Sequence, residues 1–163
     1  MYSKKFDPFE HQNLFYEYKL KVNNDEINQI LLLTENHDVG YQKCNYGYLN
    51  ILNFPILKNL KKQVIDILDK HKLLLLDNWS QLYNKENNHS VHCHYGSIYS
   101  GIIYLKGINP SPTIFYEKIF LNDYVHNFKK NTLLLFPSMI AHEVKPLTKN
   151  EERLIVSFNT RKI

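Results

Sequence analysis

The feature that most constrains the fold is a change of pattern after Leu76, where short runs rich in Val, Ile, Tyr and Phe recur between turn residues. Such runs predict β-strands, because β-branched and aromatic side chains fit a pleated surface. The predicted strands are Trp79–Tyr83, Val91–His94, Ile98–Leu105, Thr113–Glu117, Thr132–Phe136, Ala141–Val144 and Leu154–Asn159. The aromatic-rich segment 118–129 is long for a hairpin, so we predict a lid or capping loop there.

Helical patterns precede these strands. Leu14–Val22 partly alternates apolar and polar residues and predicts a strand, after which Asn23–Asp25 offers N-cap chemistry for a helix over Glu26–Leu33. The strongest helix is predicted over Leu57–His71, where one face repeats apolar residues at helical spacing and is expected to join the core. Helices followed by roughly seven strands predict an α+β protein whose core is a β-sandwich or barrel.

Length and composition exclude several classes. A chain of 163 residues fits a single domain, 1–163, which we divide into an N-terminal supporting part, 1–76, and a β core, 77–163. Two cysteines are too few for a disulfide scaffold. The start of the chain lacks a signal peptide and no apolar run approaches the ~20 residues of a membrane span, so a cytoplasmic protein is expected. The net charge of +4 comes from scattered Lys and Arg, which argues against nucleic-acid binding.

Three histidines suggest a metal site. His92 and His94 are one residue apart, and side chains at i and i+2 of a strand point to the same face. His142, from a neighbouring predicted strand, would add a third imidazole, and imidazole suits Fe, Zn, Cu and Ni. Any one of these histidines alone is more simply a surface or core residue. The joint pattern, with Arg153 eleven residues after His142, is more specific.

An ordered set of motifs spans Asp77 to Asn159. It comprises the tryptophan strand W-S-Q-L-Y from residue 79, H-C-H at 92–94, S-G-I-I-Y at 100–104, F-P-S at 136–138, His142, and R-L-I-V-S-F-N at 153–159. In this order the motifs resemble the 2-oxoglutarate/Fe(II)-dependent oxygenase family found in bacteria and phages. The resemblance implies a double-stranded β-helix, the cupin-like jelly roll, with N-terminal helices packed on one sheet.

The resemblance also implies roles for particular residues. His92 and His142 match the two histidine ligands of the wider superfamily, which usually has a carboxylate where this chain has His94. His94 is then either a third metal ligand or a residue beside the metal. Arg153 matches the basic residue that grips the distal carboxylate of 2-oxoglutarate, and Ser157 and Tyr104 are candidates to contact the same co-substrate.

Simpler interpretations stand beside these roles. Arg153 could form a surface salt bridge with Glu151 or Glu152, and Tyr104 could be a packed core residue. His89 lies in a polar stretch and is expected to be solvated. Ser100-Gly101 is expected to allow close strand packing, and Asn131 to adopt left-handed backbone geometry before a strand.

The implied function is an Fe(II)/2-oxoglutarate-dependent dioxygenase. Such an enzyme uses O₂ to hydroxylate a substrate, here unidentified, with release of succinate and CO₂, and the expected setting is a bacterial or phage-infected cell. Two alternatives remain open at the level of the sequence. One is a cupin-like three-histidine metalloprotein that does not use 2-oxoglutarate, and the other is a non-catalytic jelly-roll module with a binding or structural role.

Overall fold

The computed structural model describes residues 14–36, 45–84, 87–107, 111–116, 123–147 and 152–163, with the backbone alone for 45–48. In chain order these parts contain the following elements. They are β1 (Tyr16–Lys19), α1 (Asn24–Glu35), β2 (Asn45–Leu49), α2 (Lys58–Lys70), β3 (Leu73–Tyr83), β4 (His89–His92), β5 (Tyr99–Lys106), β6 (Thr113–Tyr116), β7 (Tyr124–His126), β8 (Thr132–Pro137), β9 (Ala141–Val144) and β10 (Arg153–Lys162).

The strands form two antiparallel sheets. One has six strands in the order β1-β8-β5-β10-β3-β2, and the other has four in the order β4-β9-β6-β7. Successive strands alternate between the sheets from β3 to β6 and again from β8 to β10, as in a jelly roll. The predicted α+β class with a double-stranded β-helix core is confirmed.

Two hydrophobic clusters hold the layers together. The first joins the two helices to the outer face of the six-stranded sheet, and it includes Ile30, Leu60, Val64, Leu133 and Phe158. The second lies between the sheets and is richer in aromatic residues. Its buried members are Tyr83, Ile102, Tyr104, Phe115, Leu134, Phe136, Val144, Leu147 and Ile155. The helices therefore support one sheet from outside, and the predicted packing of N-terminal helices on one sheet is confirmed.

Both predicted helices form for the reasons read from the sequence. The Asn23 side chain accepts a hydrogen bond from the backbone N–H of Glu26, and the Glu26 carboxylate accepts one from the backbone N–H of Asn23. This reciprocal capping box satisfies two amide donors that a helix start otherwise leaves unpaired. In α2 the apolar stripe is buried against the sheet, and burial of each such side chain contributes about 1.5–3 kcal/mol.

Three predicted boundaries differ in the structure. The H-x-H strand ends at His92, so His94 lies after β4. The segment predicted as a lid, 118–129, is in part a strand, because β7 pairs with β6; residues 117–122 lie outside the described residues. Strand β3 begins at Leu73 rather than at the predicted Trp79, and β1 and β2 belong to the same six-stranded sheet.

Candidate metal centre

Strand pairing places two of the predicted histidines side by side. His92 on β4 and His142 on β9 are directly opposite one another in the antiparallel pair, and their ring centroids are 4.2 Å apart. Opposed residues on neighbouring strands have their Cβ atoms close together on one face. The register between β4 and β9 therefore brings together two imidazoles that are fifty positions apart in the sequence.

The third histidine reaches the same point by a different route from the one predicted. His94 lies beyond the end of β4, so strand alternation does not align it with His92. Its backbone N–H donates to the carbonyl oxygen of Ser138, 2.9 Å away, and this bond anchors the segment. The His94 ring centroid is 5.2 Å from those of both His92 and His142. One ligand nitrogen from each of the three side chains lies within 4.8 Å of the others.

Backbone carbonyl groups orient two of the rings. His92 Nδ1 lies 2.8 Å from the carbonyl oxygen of Ser90, and His142 Nδ1 lies 3.0 Å from that of Ile140. A carbonyl oxygen only accepts hydrogen bonds, so each Nδ1 carries the proton. Each Nε2 then keeps its lone pair, which is the tautomer that a metal-binding histidine needs.

Burial keeps the imidazoles neutral. It lowers the pKa of His94 to about 4, with the nearby His92 ring acting in the same direction. Burial also places the pKa of His142 well below its ordinary value, and it lowers the pKa of His92 despite the opposing effect of the hydrogen bond that His92 donates to the Ser90 carbonyl oxygen. Since the neutral imidazole is the form that ligates a metal, the site is ready for a cation near neutral pH.

Arg153 lies in the wall of the same cavity and is 0% exposed. Its Nη2 donates to Thr113 Oγ1 at 2.8 Å and its Nη1 to the Ser111 carbonyl oxygen at 3.1 Å, while its Nε is buried without an acceptor. In the described parts of the chain no carboxylate pairs with this guanidinium. Of the two surface partners considered from the sequence, Glu152 pairs instead with Lys106 at 2.6 Å, and Glu151 lies outside the described residues.

Tyr104 and Ser157, the two candidates for contact with the co-substrate, are both buried. The Tyr104 hydroxyl lies 3.0 Å from Thr113 Oγ1, and burial raises the pKa of this tyrosine to about 12. Its ring and that of Tyr83 lie 5.6 and 5.3 Å from the Arg153 guanidinium carbon, within the range of cation–π attraction. The Ser157 hydroxyl donates to Gln81 Oε1 at 3.0 Å.

Two of the cavity residues that were not predicted from the sequence, His89 and Trp79, lie beside the three histidines. His89, expected to be solvated, is 7% exposed, and its ring stacks on His92 with centroids 3.8 Å apart. Burial, reinforced by the neighbouring His92, His94 and Arg153, lowers the pKa of His89 to about 3. Trp79 lies beside His94, with ring centroids 5.8 Å apart. Trp79, Gln81 and Tyr83 occupy alternate positions of β3, and this spacing in the sequence indicates that the three side chains share one face of the strand.

The donor set fits a transition-metal cation. Imidazole nitrogens suit such ions and bind them at about 2.0–2.2 Å, and the three histidines present one nitrogen each within 4.8 Å of the others. The buried guanidinium with a free donor fits an anion in the same cavity. The free space is about 20 Å³, room for about one water molecule, so a larger anion requires lining side chains to rotate outward.

The class that the fold defines is the double-stranded β-helix, and the comparisons with solved structures agree. A viral collagen prolyl hydroxylase from Paramecium Bursaria Chlorella virus-1, in complex with 2-oxoglutarate, superposes with a TM-score of 0.68 at 13% identity, over 92% of this chain and 96% of that one. A 2OG-Fe(II) oxygenase family oxidoreductase from Burkholderia pseudomallei gives 0.71 at 10% identity, over 94% and 86%.

A further similar structure is HygX from Streptomyces hygroscopicus with nickel, 2-oxoglutarate and hygromycin B bound. Its TM-score is 0.69 at 12% identity, over 91% of this chain and 83% of that one. No protein-family model and no curated protein matches the sequence. At these identities the likeness establishes the fold, and the chemistry has to be argued from the site. None of the helices in the described parts of the chain is long and apolar enough to cross a membrane.

Proposed function

We propose that this protein is an Fe(II)- and 2-oxoglutarate-dependent dioxygenase that hydroxylates a substrate and releases succinate and CO₂. One observation carries the proposal: the same cavity is lined by three neutral imidazoles and by a fully buried guanidinium that has no carboxylate partner among the described residues. A dicarboxylic acid that reaches a metal with one end and Arg153 with the other uses both features. The structural similarity to proteins that bind 2-oxoglutarate supports this choice.

In the proposed function, His92, His94 and His142 hold Fe(II) through one nitrogen each. The carbonyl groups of Ser90 and Ile140 keep two of the rings in the ligating tautomer. When bound, Fe(II) and 2-oxoglutarate supply the activation of O₂ and its coupling to decarboxylation. The contribution of the chain is orientation, charge and the exclusion of bulk water from a buried site.

Arg153 holds the distal carboxylate. Within the described parts of the chain its Nε has no acceptor, and its hydrogen bonds go to the neutral oxygens of Ser111 and Thr113, so an anion gains charge-assisted hydrogen bonds there. Tyr104 orients Thr113, which in turn orients the guanidinium. We propose that Ser157 acts through Gln81, because its hydroxyl hydrogen is engaged with that side chain. The substrate is left open, and a bacterial or phage-infected cell remains the predicted setting.

The test uses the 163-residue chain purified without a histidine tag. Incubated with Fe(II), ascorbate and 2-oxoglutarate in air, it should form succinate, and anaerobic addition of 2-oxoglutarate to the Fe(II) protein should produce a visible charge-transfer band. Arg153→Met should abolish both signals. The matched control is Arg161→Met, which removes an exposed arginine from the same strand and should leave both unchanged. Absence of succinate and of the band in the wild-type protein would refute the proposal.

A second candidate, a three-histidine metalloprotein that does not use 2-oxoglutarate, is favoured by the neutral ligand set. The usual carboxylate of Fe(II) oxygenases is replaced by an imidazole, which leaves the full charge of the cation uncompensated by the protein. The Arg153→Met variant separates the two functions, because metal-dependent activity that survives this change does not depend on a bound dicarboxylate. A chain that purifies without metal and fails to take it up would instead support a non-catalytic module.

A further inference from the structure

Trp79 lines the cavity, and the N–H of its indole is a buried hydrogen-bond donor. Its Nε1 is buried and has no acceptor among the described residues. A buried N–H without a partner is unfavourable, because it has given up its hydrogen bond to water without gaining another. Trp79 is the only tryptophan in the sequence and lines the same cavity as His92, His94 and His142.

Strand register fixes the face of the sheet from which the Trp79 side chain projects. Trp79 is directly opposite Ser157 on β10 and Leu49 on β2, so its side chain projects from the face of the six-stranded sheet that also presents Ser157 to the cavity. The indole and the His94 imidazole are inclined by only 31° at 5.8 Å between centroids. The ring therefore lies along one side of the His94 imidazole, at the metal end of the cavity rather than at its Arg153 end.

The cavity contains no acidic side chain among its described lining residues. A divalent cation held by three imidazoles would keep both of its positive charges, and Arg153 adds a third. A dianionic dicarboxylate offsets two of these charges. The buried site would then still carry one positive charge, which an anionic ligand of the metal would offset.

We propose that Trp79 is a positioning residue whose indole N–H donates a hydrogen bond to an anionic, exogenous ligand of the metal. The proposal rests on the metal site of the proposed function, but not on the use of 2-oxoglutarate. According to this proposal, the metal should prefer exogenous ligands that place a hydrogen-bond acceptor beside His94. A carboxylate oxygen and a terminal azide nitrogen both meet that requirement.

The experiment replaces the single tryptophan with 3-benzothienylalanine in a tryptophan auxotroph. This analogue keeps the shape of the indole but has sulfur in place of the N–H, so the packing of β3 is preserved. Both full-length proteins are loaded with Co(II) under nitrogen, and azide is titrated against the visible cobalt spectrum. We expect an unchanged affinity for Co(II) and azide binding that is weaker by about tenfold or more, the effect of losing one hydrogen bond to a charged acceptor. Trp79→Phe should show the same loss.

The outcomes separate this inference from the proposed function. Equal azide affinities in the wild-type and analogue proteins would overturn the role of Trp79, and failure of the wild-type protein to bind Co(II) would overturn the metal site and the inference with it. Titration with 2-oxoglutarate in the same cuvette tests the proposed function by itself. A tenfold azide effect without 2-oxoglutarate binding would leave the inference standing and remove the dioxygenase.

Discussion

Replacement of Arg153 by methionine should stabilise the ligand-free protein while removing its affinity for 2-oxoglutarate. The guanidinium is 0% exposed, has no carboxylate partner in the described parts of the chain, and leaves Nε unsatisfied. Burial of a charge without an opposite charge is strongly unfavourable. Its contacts with Thr113 and Ser111, and the two tyrosine rings, offset only part of that cost.

The expected gain for Arg153→Met is about 1–3 kcal/mol in the free energy of unfolding, by analogy with buried charges replaced by apolar residues of similar volume. For a chain of this size that corresponds to a rise in the melting temperature of about 2–4 °C for each kcal/mol. Saturation of the wild-type protein with 2-oxoglutarate and Co(II) should raise its melting temperature, since a ligand at 100 times its Kd contributes about 2.7 kcal/mol. The Arg153→Met variant should show no rise in melting temperature on addition of 2-oxoglutarate.

The assay is urea unfolding of the wild-type, Arg153→Met and Arg161→Met proteins, each with and without Co(II) and 2-oxoglutarate, followed by the fluorescence of the single tryptophan. Arg161 is exposed on the same strand, so its replacement should change stability by less than about 0.5 kcal/mol. The reasoning is refuted if Arg153→Met lowers the stability of the ligand-free protein at an unchanged dependence on urea. It is also refuted if the variant keeps the stabilisation by 2-oxoglutarate.

Three further predictions concern stability. Gly101→Ala should lower the free energy of unfolding in urea by about 1–3 kcal/mol, because a Cβ there would lie 2.0 Å from the buried Phe158 ring. A decrease of less than about 0.5 kcal/mol would show that the ring can move aside. Asn23→Ala should cost about 1 kcal/mol and reduce helical circular dichroism on heating, and no loss would exclude a stabilising capping box. Burial holds the folded-state pKa values of His89 and His94 at about 3 and about 4, below their ordinary value. The metal-free protein should therefore lose stability as pH falls below about 6.5, by about 1 kcal/mol for each histidine at about pH 5.5. Stability that does not change with pH in this range would contradict burial of the two rings.

Local chemistry made much of the fold predictable. The Asn23 cap and the apolar stripe of α2 depend on neighbours within a few residues, and both form as predicted. Asn131 adopts φ of 58°, the left-handed geometry expected of it. The short strand β7 was missed because three residues give too little pattern to distinguish a strand from a loop, and its formation depends on pairing with β6.

The sequence indicated which residues form the candidate site, but not how the fold positions each of them. His92, His94 and His142 do converge, yet His94 is placed by its bond to the Ser138 carbonyl oxygen rather than by strand alternation. Burial of His89 against His92 depends on a stacking contact that residue type and spacing do not encode. The sequence also could not show whether Arg153 pairs with its acidic neighbour Glu152. In the structure Glu152 pairs with Lys106 instead.

The candidate site draws its parts from both layers of the jelly roll. His92 and His142 belong to the four-stranded sheet, whereas Arg153 and Trp79 belong to the six-stranded sheet that the helices support. A molecule bound to the metal at one end and to Arg153 at the other would therefore act as a tie between the two layers. Binding of such a molecule should then slow amide hydrogen exchange in β4 and β9 together with β10. The exchange rates of both sheets would therefore depend on whether the site between them is occupied.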